Sequence, residues 1–378
     1  MLNIIRNVEI YSPKYLGKKD LLFAFGKIEG LYNNLNISSK DIEINEIDYT
    51  GKILLPGFID CHVHILGGGG EGGFATRTPE IAFDELAAAG ITTVVGCIGT
   101  DGIARDMRTL VAKAKSLKEE GLNCYVYTGS YHVPVSTLYS NIETDLMMID
   151  EIIGTGEIAI SDNRSSHPSF YEFIRCVADT RVAGLLSKKA GICNIHIGDG
   201  KGKLDFLFKT IRETDIPTEN ILPTHINRNK SLFYEGLKYV KAGGYIDFTT
   251  SADMNNLSED ELLASDAFDI YIQNGMPIEN VTFSSDGNGS IPLFDDDGKL
   301  LKVGRCSVSS LYEEVVKCIT NKHFKIEDAI KVITSNVSDR LKLKSKGYIK
   351  KGYDADFVIV DKCDLKINDV YCKGIKIK

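Results

Sequence analysis

The chain has 378 residues, of which 43% are apolar and 25% charged, as is usual for a soluble globular protein. Its 44 Lys and Arg against 52 Asp and Glu give a net charge of −8, which argues against general binding of nucleic acid or of an anionic membrane surface. Nine Cys without a C-x-x-C pair, and a start without a signal-peptide pattern, predict a cytoplasmic protein. No apolar run reaches about 18 residues, so we expect no membrane span.

The two ends of the chain have the pattern of short β-strands. Near the start these strands are predicted over 2–10, 20–25 and 41–49, and near the end over 347–349, 355–360 and 375–377. Because the two ends are alike, residues 1–52 and 346–378 are predicted to form one small β-sandwich domain.

The middle of the chain, residues 53–345, alternates strand and helix patterns. Apolar β-type runs occur at 53–59, 91–98, 124–128, 157–160, 192–197, 221–226, 245–249 and 281–284. Helical patterns occur at 79–89, 104–120, 144–153, 171–189, 204–213, 232–241 and 258–273. This alternation predicts βαβ units, and eight strands favour a (β/α)8 TIM-type barrel. An open doubly wound sheet is the alternative, but the GGGG run at 67–70 is not G-x-G-x-x-G and no helix begins on it.

Polar side chains that can bind metal ions gather at the predicted strand ends, where barrel enzymes build their sites. Four of the seven His are among them, with two carboxylates: His62, His64, Glu157, His196, His225 and Asp286. Each alone has a simpler explanation, such as a core histidine or an Asx turn. Their coincidence at the ends of five strands favours a metal site.

The spacing of these residues suggests two ions. Side chains alternate along a strand, so His62 and His64 point the same way and can bind one ion with Asp286. His196 and His225 lie on neighbouring strands and can bind a second ion. Glu157 is the available anion to lie between the two positive charges, and two such ions can share a hydroxide nucleophile.

The remaining histidines fall outside this pattern. His132 and His167 are predicted beside the site or at the surface, and His323 in TNKHFK at the surface.

Several sequence blocks carry a family resemblance. PGFIDCHVH at 56–64 resembles the strand-one signature of the amidohydrolase superfamily, and KKGYDADFVIVD at 350–361 resembles the return of the chain to its small β domain. More narrowly, HVHILGGGGEGG, RTPE, GTD, TGSYHVP, ISDNRSS, IHIGDG, LPTHINRN and SSDGNGS together resemble the isoaspartyl (β-aspartyl) dipeptidases. The similarity runs through nearly the whole chain.

This resemblance implies a binuclear metallopeptidase that hydrolyses the isopeptide bond of β-aspartyl dipeptides. It assigns His62, His64 and Asp286 to one zinc ion, and His196 and His225 to the other. It also makes Asp286 the general base, which takes a proton from the bridging water and passes it to the leaving amine.

The resemblance also implies a set of groups that contact the substrate: Gly69, Gly70, Glu71, Thr100, Tyr131, Arg164, Arg228 and Ser290. An isoaspartyl dipeptide carries one ammonium and two carboxylate groups. Glu71 is the obvious anion for the ammonium, and Arg164 and Arg228 can clamp the carboxylates bidentately. Tyr131 is expected to be catalytic, by donating to the developing oxyanion.

The chain departs from the family at one position. The family has a carboxylated Lys on strand four, seven residues before the Arg of the ISDxRS block, and here that position is Glu157. We therefore expect two divalent ions, Zn²⁺ by ligand type, without a carboxylated lysine.

Two other functions remain open at this stage. One is a cyclic-amide hydrolase of the dihydroorotase or hydantoinase kind, in which Glu71 would have no ammonium to bind. The other is a metal-free scaffold of the same fold. Expected partners are a dipeptide substrate and further copies of the chain in a homo-oligomer, as the family implies.

Overall fold

The structure is a computed structural model that describes residues 2–38, 40–252, 260–294 and 300–378. Its strands are β1 (Leu2–Ser12), β2 (Lys14–Ala24), β3 (Lys27–Tyr32), β4 (Ile44–Asp48), β5 (Lys52–Pro56), β6 (Phe58–Val63), β7 (Ile91–Gly96), β8 (Asn123–Thr128), β9 (Ile152–Ile160), β10 (Ile192–Ile197), β11 (Ile221–Thr224), β12 (Ile246–Thr249), β13 (Val281–Ser284), β14 (Ser290–Phe294), β15 (Leu300–Arg305), β16 (Phe357–Asp361), β17 (Ile367–Cys372) and β18 (Ile375–Lys376). Its α-helices are α1 (Phe83–Ala88), α2 (Met107–Glu119), α3 (Ile142–Met148), α4 (Phe170–Ser187), α5 (Asp205–Glu213), α6 (Lys230–Lys241), α7 (Ala264–Gln273), α8 (Ser310–Thr320), α9 (Ile326–Ala329) and α10 (Ser335–Arg340).

The two ends of the chain meet in one β domain. β1 pairs antiparallel with β2, and its other edge pairs with β4 and then with β5. β16 joins antiparallel to β5 and is followed by β17 and β18, so the order is β18-β17-β16-β5-β1-β2-β3. The strands that the sequence predicts as a sandwich are thus hydrogen-bonded as one sheet, joined through β1. Ile5, Leu21 and Phe357 lie in its buried core.

The predicted first barrel strand, 53–59, is in fact two strands with different partners. β5 pairs with β1 and β16 in the β domain, whereas β6 begins the barrel beside β7. Gly57 lies between them, and a Cβ there would be 2.2 Å from the Thr92 hydroxyl oxygen. Glycine therefore lets the chain pass close to β7 as it leaves the β domain.

Eight parallel strands form the barrel. β6 to β11 lie side by side in chain order, and β12 and β13 form a further parallel pair. The Ile226 N–H donates to the Asp247 carbonyl oxygen at 3.3 Å, and the His64 N–H donates to the Gly287 carbonyl oxygen at 2.8 Å. These contacts join the β12–β13 pair to β11 on one side and to β6 on the other. The predicted (β/α)8 barrel is confirmed, and the open sheet is wrong.

Helix ends differ from the sequence prediction in several places. The predicted helix 144–153 is α3 followed by the start of β9, and α1 covers only part of 79–89. Of the predicted helix 258–273, residues 258 and 259 lie outside the described residues, and α7 begins at Ala264. A β14–β15 hairpin, which was not predicted, follows the eighth barrel strand and begins at Ser290. None of the described helices is both long and apolar enough to cross a membrane.

Candidate metal centre

Two histidines at the end of β6 face a carboxylate that follows β13. The Nε2 atom of His64 lies 3.0 Å from Asp286 Oδ1, and the Nε2 atom of His62 lies 3.5 Å from the same oxygen. Asp286 has a left-handed φ of 51°, which few non-glycine residues adopt outside turns and functional sites. The hydrogen bond between His64 and Gly287 brings β6 to this loop. The first three predicted ligands therefore lie together.

Glu157 lies in β9 and turns one carboxylate oxygen toward each histidine pair. Its Oε2 atom is 3.3 Å from His62 Nε2 and 3.7 Å from His64 Nε2. Its Oε1 atom is 2.7 Å from His196 Nδ1 and 3.2 Å from His225 Nε2. Two groups of candidate ligands thus share this one carboxylate.

Unpartnered atoms test whether these residues fit a metal ion. His62 Nε2, Glu157 Oε2 and Asp286 Oδ1 are buried and make no hydrogen bond with any described residue. His225 Nδ1 lies 2.6 Å from the Thr249 hydroxyl, and its Nε2 atom lies 3.2 Å from Glu157 Oε1. Acceptor atoms that face one another without a donor need a cation between them, and the cluster is compatible with divalent metal binding.

The charges of the cluster also favour a cation. Burial alone would raise the pKa of Glu157, but His62, His196 and His225 together outweigh burial and hold that pKa well below its usual range. Burial would likewise raise the pKa of Asp286, but the neighbouring His64, His225 and His62 together lower it to about 2. Burial lowers the pKa of His225 to about 3, which keeps that imidazole in the neutral form that binds metals.

Each of the four histidines has a second polar contact on its other ring nitrogen, as metal ligands commonly do. His62 contacts the Asn194 amide oxygen at 3.1 Å, and His64 contacts the Cys97 sulfur at 3.9 Å. His196 contacts the Asp162 carboxylate at 2.9 Å, and His225 contacts the Thr249 hydroxyl at 2.6 Å.

None of these four partners is among the site residues that the sequence predicts. Cys97 follows an apolar strand and has the pattern of a small core residue. Asp162 has the pattern of a turn residue, since its Oδ1 atom also accepts the Arg164 N–H at 2.8 Å. The signal that could have found Asp162 is its place two residues after β9, the strand that carries Glu157.

A cavity of about 720 Å³ adjoins the ligand groups, because His64, His196 and Asp286 line it. Most of the predicted substrate residues line it too: Gly69, Glu71, Thr100, Tyr131, Arg164, Arg228 and Ser290. Gly70 lines a neighbouring cavity of about 350 Å³. The structure therefore gathers the predicted substrate groups around the cluster.

Glu71 and Arg164 lie against each other in this cavity. The Arg164 Nη1 atom is 3.4 Å from Glu71 Oε1, and the Thr100 hydroxyl donates to the same oxygen at 2.8 Å. The side-on edge of the guanidinium already contacts Asp162, since Nε and Nη2 donate to its two oxygens at 2.9 and 2.8 Å. This edge is therefore occupied by Asp162, and the Nη1 end is what remains for a substrate carboxylate.

Arg228 has fewer contacts. Its Nε atom is buried and makes no hydrogen bond with any described residue, and its Nη1 atom is 3.9 Å from Asp199, whose side chain is 69% exposed. Arg228 and Ser290 also line an adjoining cavity of about 510 Å³. The Arg228 guanidinium can therefore still receive a carboxylate.

Tyr131 lies between the ligand groups and the cavity. Its hydroxyl is 2.9 Å from His196 Nδ1, and the Arg164 guanidinium carbon is 5.4 Å from the centre of its ring. Burial raises the pKa of Tyr131 well above its usual range, so the hydroxyl keeps its proton and can act as a donor.

The glycine loop after β6 is held by a buried arginine that the sequence analysis missed. Gly69 and Gly70 have φ angles of 75° and 113°, which favour glycine. Arg105 donates to the carbonyl oxygens of Leu66 at 3.0 Å, Gly68 at 3.0 Å and Gly69 at 3.3 Å. These bonds tie three carbonyls of the loop to one side chain, and they fix the segment that leads to Glu71.

The three other histidines are exposed, as predicted for a surface position. His132 approaches the site, with its Nε2 atom 3.3 Å from the Arg164 carbonyl oxygen.

Comparison with known proteins agrees with this geometry. Residues 53–376 match the model of the amidohydrolase family. The chain belongs to the amidohydrolase family. This amidohydrolase is similar to a β-aspartyl dipeptidase of the thermophilic, keratin-degrading Fervidobacterium islandicum AW-1, whose structure was solved in complex with a β-Asp-Leu dipeptide. The two sequences are 46% identical, and the match covers 100% of this chain and 96% of the dipeptidase chain, with a TM-score of 0.93. A second structure of that dipeptidase is 44% identical over 97% of its chain, with a TM-score of 0.91. The family resemblance seen in the sequence is confirmed, and the protein is a hydrolase.

More distant amidohydrolases share less. A D-hydantoinase is 17% identical over 95% of its chain with a TM-score of 0.69, which shows a common fold. An adenine deaminase of Clostridium perfringens is 26% identical over 98% of this chain, but the match covers 58% of the deaminase, so the chain spans less than two thirds of that relative's length.

Proposed function

We propose that this amidohydrolase cleaves the isopeptide bond of β-aspartyl dipeptides, with two divalent metal ions held around Glu157. The observation that carries the proposal is the carboxylate of Glu157, whose Oε2 faces His62 and His64 while its Oε1 faces His196 and His225. The β-Asp-Leu bound to the Fervidobacterium enzyme supports the choice of substrate.

In this proposal His62, His64 and Asp286 hold one ion, and His196 and His225 hold the other. Glu157 would serve both ions with one carboxylate oxygen each, and it needs no carboxylation, since it is already an anion. Nitrogen and oxygen ligands of this kind suit Zn²⁺. Ions bound there would supply Lewis-acid activation of water and of the scissile carbonyl group.

The protein groups then move the proton and stabilise charge. Asp286 takes a proton from the attacking water and delivers it to the leaving amine, a role that suits a carboxylate kept ionised beside His64. The Tyr131 hydroxyl donates a hydrogen bond to the oxyanion that develops at the carbonyl oxygen.

The cavity groups orient the dipeptide. Glu71 receives the α-ammonium group, and Arg228 together with the Nη1 end of Arg164 receives carboxylates. The remaining predicted contacts are small polar or backbone groups at the cavity wall: Gly69, Gly70, Thr100 and Ser290. The homo-oligomer stays a prediction.

Metal analysis combined with turnover tests this function. We expect about two divalent ions per chain and hydrolysis of β-Asp-Leu but not of α-Asp-Leu, with loss of activity on chelation. Faster ring opening of dihydroorotate or a hydantoin than cleavage of β-Asp-Leu would favour a cyclic-amide hydrolase. A chain that binds no metal and cleaves nothing would favour a scaffold.

A further inference from the structure

Asp162 is the most completely bonded carboxylate beside the cavity, and the proposed reaction gives it no part. It follows β9 by two residues, and its side chain is 5% exposed. Its Oδ1 atom accepts the Arg164 backbone N–H at 2.8 Å and the Arg164 Nε–H at 2.9 Å. Its Oδ2 atom lies 2.8 Å from Arg164 Nη2 and 2.9 Å from His196 Nε2. One carboxylate thus contacts a substrate-binding group and a candidate metal ligand.

The contact with His196 determines which ring nitrogen is free. Asp162 is an acceptor at this position, because both of its oxygens already receive N–H groups of Arg164. His196 Nε2 must therefore carry the proton, which leaves the Nδ1 lone pair directed at Glu157 Oε1, 2.7 Å away. Contacts of this kind hold a ligand ring in place and raise its basicity.

The contact with Arg164 determines which edge of the guanidinium is free. Two parallel hydrogen bonds to one carboxylate fix the plane of the group. With Nε and Nη2 occupied, the Nη1 end is held near Glu71, 3.4 Å away, and over the Tyr131 ring. A neutral amide in place of Asp162 would weaken both hydrogen bonds and would no longer neutralise the buried side of the guanidinium.

We propose that Asp162 is a positioning residue that couples metal binding at His196 and His225 to recognition of the substrate carboxylate by Arg164. This inference rests on the proposed function. Coupling between two binding events is reciprocal. If bound metal raises the affinity for a ligand on Arg164 by some factor, that ligand should raise the affinity for the metal by the same factor. Asp162 carries this coupling because the same Oδ2 atom contacts both groups.

The test compares Asp162→Asn, which preserves shape, with a matched control, Asp20→Asn. Asp20 is 5% exposed and contacts Arg6 Nη1 at 2.8 Å and two backbone N–H groups, but it lies in the β domain. For Asp162→Asn we expect a 10- to 100-fold loss of affinity at one of the two metal positions, measured by chelator competition without turnover. We also expect a KM for β-Asp-Leu that rises about tenfold or more at saturating Zn²⁺. Asp20→Asn should change thermal stability and neither of these quantities.

A second comparison isolates the coupling. In the wild type, a non-hydrolysable β-aspartyl ligand should slow release of the weaker metal ion, and Asp162→Asn should remove this effect while circular dichroism shows the fold retained. The increase in KM of the double variant Asp162→Asn/Arg164→Lys should also be smaller than the product of the increases in the two single variants. A variant with wild-type metal affinity, or with ligand-dependent metal release unchanged, would overturn the coupling. A wild type without bound metal or β-Asp-Leu cleavage would instead overturn the proposed function, which is measured before any variant.

Discussion

Glu71 and Asp286 are carboxylates of one cavity, and their surroundings separate their roles. Asp286 has a side chain 22% exposed and lies 3.0 Å from His64, within the group of candidate metal ligands. Glu71 is farther out, with a side chain 33% exposed, and contacts Thr100 and Arg164. The inner carboxylate suits proton transfer at the reacting bond, and the outer one suits binding of a cationic group.

Asp286→Asn should lower kcat by at least about 10², the usual contribution of a general acid–base group. The amide keeps the shape of the side chain but cannot take a proton, so part of the metal should remain bound. Steady-state kinetics and metal analysis of the same preparation check both expectations. Near-normal turnover with full metal content would contradict the role of Asp286.

Glu71→Gln should lower kcat/KM for β-aspartyl dipeptides about tenfold or more, because a charged hydrogen bond to the substrate ammonium is worth ~1.5–3 kcal/mol. An analogue without the α-amino group should lose much less, since it has no ammonium to pair. Glu80→Gln, at a side chain 59% exposed, serves as the control. Equal losses for both substrates would mean that Glu71 acts on something other than the ammonium.

The sequence predicts the residues at strand ends better than the residues that support them. His62, His64, His196 and His225 stand out because imidazole is rare and each follows an apolar run. Asp162 and Arg105 do not stand out, because a turn aspartate and a helix-flanking arginine are common. What gives them a role is a contact with a segment distant in sequence, such as His196 or Leu66.

Among the elements, β9 contributes both to the metal cluster and to the cavity wall. Glu157 lies within it, and Asp162 and Arg164 follow its end. One short segment therefore presents a candidate bridging ligand, the carboxylate that orients His196 and an arginine of the cavity wall. A shift of this strand would alter metal binding and substrate binding together.

Apo-protein should regain full activity from Zn²⁺ alone in CO₂-free buffer, because Glu157 is an anion without modification, as its lowered pKa requires. Glu157→Ala should lose one or both ions, since the two metal charges then face each other unscreened. Glu157→Lys should regain part of the activity only when bicarbonate is supplied. These outcomes are followed by metal content and β-Asp-Leu turnover.

A wild type whose reactivation needs bicarbonate would contradict this assignment. So would a Glu157→Ala variant that keeps two ions and full turnover.

Hydrophobic periodicity predicts the order of the strands and helices along the chain, but it does not predict which strands pair with one another. The alternation of apolar runs and amphipathic helices identifies eight barrel strands, because strands and helices differ in period. The run 53–59 is uniformly apolar because β5 and β6 are both buried, so the change of sheet at Gly57 has no periodic signal. The pairing of β1 with both β4 and β5 is likewise decided by tertiary contacts.

At the scale of the whole molecule, a buried ion group joins the barrel to the β domain. The Lys346 side chain is 3% exposed and contacts Asp354 and Asp356 at 2.6 Å each. Asp356 also accepts a hydrogen bond from the Asn123 amide in β8 at 2.9 Å. Because β8 belongs to the barrel and Asp356 precedes β16, this group connects the two parts.

Lys346→Met should lower the free energy of unfolding by about 3–5 kcal/mol near pH 7, because it leaves the buried Asp356 carboxylate without its cation. The wild-type pKa of Lys346 is raised by Asp356 and Asp354 despite burial, so its contribution is present at neutral pH and lost as pH rises through that raised pKa. The pKa of Asp354 is lowered by Lys346 and Lys27 despite burial, so its contribution is present above about pH 4 and lost as pH falls below.

Denaturant unfolding at fixed Zn²⁺ across this pH range checks the prediction. The difference between wild type and Lys346→Met should be greatest between about pH 5 and 9 and should shrink in acid. Lys344→Met, at an exposed lysine, is the control and should change little. A difference independent of pH would mean that Lys346 stabilises the protein through packing of its stem and not through its charge.

The sheet made from both ends of the chain also bears on how the protein is synthesised. β5 leaves the ribosome before the barrel, but its partner β16 begins only at Phe357, after all eight barrel strands. Through the whole translation of the barrel, one edge of β5 lacks its neighbour and remains open to pairing with other strands. Nascent chains that stall before Phe357 therefore carry a nearly complete barrel together with an open, apolar strand edge, and we expect chaperones to engage them there.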